Sequence, residues 1–259
     1  MWLTVIMSLS CSQVADAGAW PVSRTIEVTE LVPRRGDAVA ITFQTVVFTS
    51  EEQERAFTTA TLRLRDGRVT PVLAALNAKL AALPDLDEAQ RAMGAGDFSG
   101  DTGRSIEVVV NQRPWLDLRV CGEVVGTYPW SDCRHERLNV ETGEPWAWTD
   151  AIAPARLEAF LDGCSKRLAA ASREKEDEWL AAGSDLEVER MYGFLPSTCT
   201  SAMFDDAELD EDERSLTVWV GRGVMHVTEP MAWPLIISRV ELRKWVDPRG
   251  PLGHLAQKE

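Results

Sequence analysis

"SIEVVVNQRPWLDLRVCGEVVGTYPWSDCRHERLNVETGEPWAW", residues 105–148, alternates apolar and polar residues in successive runs, each ended by a turn signal. The breaks fall at Gln112-Arg113-Pro114, at Gly126–Pro129 and at Thr142-Gly143. Period two belongs to a strand, because successive side chains point to opposite faces of a sheet. Runs joined by returns this short must lie antiparallel, since a parallel neighbour needs a long crossover. The stretch therefore predicts an antiparallel meander, and what flanks it decides the fold class.

Upstream, "TIEVTELV" and "AVAITFQTVVFT" are rich in β-branched residues and read as strands, with a turn at Gly36-Asp37 between them. "ATLRLRDGRV" alternates Leu62 and Leu64 with Arg63 and Arg65, and Asp66-Gly67 signals a hairpin. The period then changes: Val72, Leu73, Leu76, Leu80 and Leu83 share one helical face, and Pro84 ends the helix. "GAGDFSGDTG" (94–103) reads as an internal loop. Downstream, a helical region is expected from about Ala153 to Ala182, bent or broken at Gly163. "SLTVWVGRGVMHVTEPMAWPLIISRVELRKWVD" closes the chain with a Gly-turned hairpin, a Pro-flanked loop, and a final strand passing into a short helix. The expected class is α+β: an antiparallel β-sheet meander with helices packed on one face.

The formal net charge of −14 repels phosphate backbones and anionic lipid headgroups, which argues against nucleic acid as a partner. An apolar run from Trp2 to Leu9 precedes Ala15-Asp16-Ala17, which fits the A-x-A pattern of signal peptidase. The run falls short of the roughly 20 residues of a transmembrane span. No Lys or Arg precedes it, which a start codon further upstream would explain. Residues 1–17 are thus expected to be a signal peptide and 18–259 a single α+β domain, placed outside the cytoplasm, periplasmic or secreted. Cys11 carries the rival reading of a lipoprotein, although Ser8 stands where that signal usually has Leu. Four cysteines remain after cleavage, Cys121, Cys133, Cys164 and Cys199, an even set that implies disulfides in three alternative connectivities.

Motifs that declare a reaction are missing from the sequence. The histidines are His135, His226 and His254, and no H-E-x-x-H, G-x-S-x-G, Walker loop or G-x-G-x-x-G after a strand occurs. Neither a cofactor nor a metal is expected. In "DDAELDEDERS", Asp206, Glu208 and Asp210 alternate as calcium ligands would, but Glu211 stands where the loop needs Gly and Thr217 where it needs Glu. Asp117 and Glu123 could be taken for a glycosidase pair, yet on one strand they lie roughly 20 Å apart, too far for either hydrolytic geometry. Ten tryptophans against two tyrosines leave an aromatic alternative. Trp146 and Trp148 fall at strand spacing on one face, either as a ligand platform or beneath the following helix. Tyr128 and Trp130 join them as a candidate binding surface.

"LNVETGEPWAWTDAIAPARLEAFL" (138–161) resembles a segment of an extracytoplasmic domain of unknown function. That domain is shared by a membrane-bound anti-sigma factor that senses lysozyme and by the non-catalytic region of a peptidoglycan deacetylase. Thr142-Gly143 fill its turn, Trp146 and Trp148 its hydrophobic strand positions, and Asp150 the acid before its helix. "LAALNAKLAAL" resembles its short Asn-containing helix, and "WLDLRVCGEVVGTYPWSD" its strand and Gly-rich loop, with Thr127-Tyr128-Pro129 where Ala-His-Pro is typical. The closing strands are similar too, with Gly223 in the turn and Pro230 opening the loop before the last strand. The resemblance covers about residues 60–253. Departures are Asn139 or Val140 near the usual Asp and the loss of the Gly-Gly-Ala-His tetrapeptide, a loop near the family's partner contacts.

The resemblance implies a bacterial envelope protein of α+β fold with a recognition role and no known catalytic residues. Deacetylation and anti-sigma activity are not carried over, because neither a catalytic domain nor a sigma-binding helix with a membrane anchor is present in the sequence. A turn near Thr127, in the hairpin the resemblance implies, would set Cys121 opposite Cys133, leaving Cys164 to meet Cys199. The expected function is an exported, non-enzymatic module binding an envelope protein or a peptidoglycan-type glycan. The alternatives are an envelope glycan hydrolase using carboxylates unpaired in sequence, and a structural envelope protein without ligand.

Overall fold

The computed structural model describes residues 7–12, 22–31, 33, 36–51, 54–95, 100–125, 130–181, 183, 196–204, 207–209, 215–220 and 233–256. The fold is α+β. Its contacts divide the chain into two compact units, 1–145 and 146–259.

In the first unit one sheet takes its strands in chain order: β1 (Met7–Ser12), β2 (Ser23–Leu31), β3 (Ala40–Thr49), β4 (Glu54–Arg63), β5 (Gly100–Gln112), β6 (Trp115–Val125) and β7 (Trp130–Asn139). Neighbours are antiparallel except β4 and β5, which run parallel and meet at Phe57 and Arg104. Two helices, α1 (Pro71–Ala81) and α2 (Leu86–Gly94), supply the crossover that a parallel pair demands. The hairpin expected at Asp66-Gly67 therefore does not form. Gly67 adopts φ 83° and turns the chain, Leu64 N–H bonds back to the Arg68 carbonyl at 2.8 Å, and Thr70 then caps α1 with Pro71 at its first position.

Helix α1 ends at Ala81, ahead of Pro84. It buries Leu73, Leu76 and Leu80 against Ile41, Leu62, Leu116 and Leu118. Asn77 ties this helix to the sheet: its side chain accepts from Leu62 N at 2.8 Å and donates to Leu62 O at 3.0 Å, completing a strand's backbone bonds where no further strand pairs. A second cluster joins Val46, Phe48 and Phe57 to Met93 of α2. Across β6 and β7, Cys121 is directly paired with Cys133 in the ladder and disulfide-bonded to it.

In the second unit, 3₁₀ turns at Trp148–Ala151 and Pro154–Arg156 lead into α3 (Leu157–Ala181). Trp146 and Trp148 are therefore not strand residues: Asp150 Oδ2 accepts the Ala147 N–H at 2.7 Å and winds the chain at that point. Helix α3 runs unbroken through Gly163, because the rest of the helix is rich in Leu, Ala, Glu, Lys and Arg and one glycine costs only about 1 kcal/mol. Cys164 on α3 is bonded to Cys199. A small antiparallel sheet orders its strands β10-β9-β8, with β8 at Glu208–Leu209, β9 at Ser215–Val220 and β10 at Trp233–Ser238. Helix α4 (Arg239–Leu242) follows. Leu216, Val218 and Val220 alternate inward from β9, and Trp233, Leu235 and Ile237 from β10.

Candidate functional site

In a meander, alternate turns fall at the same end of the sheet. Here the β2–β3 turn, the segment between β4 and α1, the β5–β6 turn and the residues after β7 converge on one groove of about 410 Å³ in the first unit. Its floor is apolar: Ala38 and Val140 are buried and Leu64 is half-buried. Its rim is ionic, with Arg65, Arg68 and Arg113 facing Asp37, Asp66 and Glu141.

Backbone and amide bonds hold these turns together. Asn111 Oδ1 accepts from Ala38 N at 2.9 Å and Val39 N at 3.0 Å, and its Nδ2 donates to Val39 O at 2.9 Å. Arg113 N–H donates to Gly36 O, and Val140 N–H to Pro114 O, each at 2.8 Å. Gly143 adopts φ 79°, which strains any other residue, and an added Cβ would also crowd Val72 Cγ2 at 3.0 Å, so glycine suits that turn. The groove is thus formed in advance of any ligand.

Two of the rim arginines hold carboxylates through Nε: Arg68 to Asp66 Oδ2 at 2.6 Å and Arg113 to Glu141 Oε1 at 2.9 Å. Arg65 makes no side-chain hydrogen bond or ion pair with any described residue. The Arg68 backbone N–H, and then its guanidinium, hold the Asp66 carboxyl below the ordinary aspartate range. Asp66 therefore stays an ionised acceptor at neutral pH and is unsuited to proton donation.

A second polar set lies on β6 and β7. Asp117 is fully buried, with Oδ1 at 2.7 Å from His135 Nδ1 and Oδ2 at 2.9 Å from Arg137 Nε. A carboxylate only accepts, so His135 donates through Nδ1–H. Asp117 is not paired with Glu123: the β6–β7 register runs from Trp115 to Val124 without a bulge, so no bend at Gly122 brings the two together.

Trp146 and Trp148 are both buried, 5% and 2% exposed, with rings edge-to-face at 6.1 Å. Beside Trp148 the packing leaves a void of only about 10 Å³ among Ile152, Phe160 and Phe204, room for no more than one water. Tyr128 and the Trp130 side chain lie outside the described residues, as do His226 and most of the acidic run from Asp205. Among the described residues no three His, Cys, Asp or Glu converge as metal ligands, and no helix is long and apolar enough to cross a membrane.

No family model matches the chain, and no curated protein matches it. Among solved structures it is similar to a member of the DUF3298 family from Bacteroides fragilis, at 13% identity and a TM-score of 0.44 over 86% of this chain and 100% of that one. It is also similar to a DUF3298 family protein from Pseudomonas aeruginosa, at 16% identity and a TM-score of 0.39 over 88% and 95%. Likenesses this distant say nothing of what the chain does.

The groove was missed from sequence because its residues are spread over more than 100 positions. One signal pointed to it: "RLRDGR", "NQRP" and "NVETG" each put charge into a turn at the same end of neighbouring strands.

Proposed function

We propose that the chain is an exported, non-enzymatic recognition module of the cell envelope that binds a protein or a cell-wall glycan. The preformed, ion-rimmed groove carries this reading. It has the size of a ligand site, and the Asp66 carboxyl on its rim is held ionised by Arg68, which suits ligand recognition better than acid catalysis. The disulfides support an oxidising compartment. The resemblance to the extracytoplasmic domain shared by the anti-sigma factor and the deacetylase supports an envelope setting.

Under this reading residues 1–17 are removed and 18–259 act as one domain. Residues 7–12 pair with β2 as β1, so cleavage after Ala17 would leave β2 as a sheet edge. N-terminal sequencing of the exported protein should then begin at Gly18. Function is tested by sedimenting the mature chain with insoluble wall sacculi and by capture from solubilised envelope. Retention on one of the two, reduced about tenfold or more in an Arg65→Ala/Arg113→Ala variant, is expected. Retention on neither would overturn the reading.

A further inference from the structure

The rim of the groove specifies a ligand chemistry, an inference that rests on the recognition reading above. Arg68 and Arg113 each engage a carboxylate through Nε, and their Nη groups bond to no described residue. Arg65 adds a guanidinium with no partner among the described residues. Guanidinium forks match the two oxygens of a carboxylate, or the oxygens of a phosphate.

The acids decide between those two. Asp37, Asp66 and Glu141 share the rim, and a doubly charged phosphate would meet all three in a chain of net charge −14. A singly charged carboxylate with N–H donors beside it meets no such penalty: its oxygens face the arginines and its donors face the acids. The apolar floor of Ala38, Leu64 and Val140 suits a small aliphatic side chain next to that carboxylate. A volume of about 410 Å³ lies toward the small end of the range of about 300–1,000 Å³ for small-ligand sites, room for a chain end but not a folded surface.

We propose that the groove holds the free carboxylate end of a short peptide, its carboxylate on Arg65 and Arg113 and its N–H groups on the neighbouring acids. The test is calorimetric titration of the mature chain with tripeptides ending in alanine, randomised at the first two positions, as free acids and as C-terminal amides. The free acids should bind. Amidation should weaken binding about tenfold or more, the factor that about 1.4 kcal/mol represents. Arg65→Ala should do the same, with partial recovery in Arg65→Lys, and both variants should keep the wild-type Tm because Arg65 is exposed.

Inorganic phosphate at matched ionic strength should not compete. Equal binding of acid and amide, displacement by phosphate, or an unaffected Arg65→Ala variant would each overturn the assignment. In a competition arm, the free-acid pool should release the chain from either the sacculi or the captured envelope protein, which identifies wall peptide or protein C-terminus as the source. Retention on these materials without release contradicts the carboxylate site and leaves the recognition reading standing. Absence of any retention removes both.

Discussion

The first unit carries two sets of arginine–carboxylate pairs in opposite circumstances. At the loop end of the sheet, Arg68–Asp66 and Arg113–Glu141 have side chains between 49% and 75% exposed. On β6 and β7, Asp117, His135 and Arg137 are 0%, 5% and 8% exposed. Water screens the first set, so its geometry contributes little to stability and leaves donors facing outward. The second set has lost its water, and Asp117 relies on His135 and Arg137 to satisfy its oxygens. Ion pairs of the same chemistry thus leave donors open to solvent in one place and tie two strands together in the other.

The largest effect expected is on the buried set. Asp117→Ala strands His135 and Arg137 without their shared acceptor and should cost about 3–5 kcal/mol in urea unfolding. A loss below about 1 kcal/mol would break the contrast. Next, replacing Cys121 and Cys133 together by alanine opens a cross-link of sequence separation 12 on the same hairpin, with an expected loss of about 3 kcal/mol. Thr70→Ala removes the bond from Leu73 N to Thr70 Oγ, 3.2 Å long, at the start of α1; about 1 kcal/mol is expected.

The exposed pair Arg113–Glu141 should show a coupling below about 1 kcal/mol in a double-mutant cycle. The subtlest test is the titration of Asp66 by NMR. Its folded pKa lies below the unfolded value, so its contribution is present above the ordinary aspartate range and is lost as pH falls through the lowered folded value. The backbone N–H of Arg68 is the leading cause, so Arg68→Ala should reduce the depression without abolishing it. Full return to an ordinary aspartate value would show that the side chain does the holding.

Strand order on β6 and β7 was legible because alternation and turn residues both act locally. Leu116, Leu118 and Val120 had to face one way and Asp117, Arg119 and Cys121 the other. The parallel contact of β4 with β5 was not, since it depends on Asn77 closing the β4 backbone and on a crossover of two helices. Trp146 and Trp148 read as strand from their spacing, whereas Asp150 reaching back to Ala147 N–H makes a turn that spacing cannot reveal. The rim of the groove escaped for a related reason: Arg65, Arg113 and Glu141 belong to separate turns, and only the closed meander brings them together.

The most direct measurement follows the side-chain Nε–H signals of the arginines in ¹⁵N-labelled mature chain as the free-acid tripeptides, or soluble fragments of the captured material, are added. Arg65, Arg68 and Arg113 should shift in a saturable way while Arg137, bound to buried Asp117, stays fixed. Saturable shifts confined to other residues, with these three rim arginines unmoved, would contradict the groove as the recognition site.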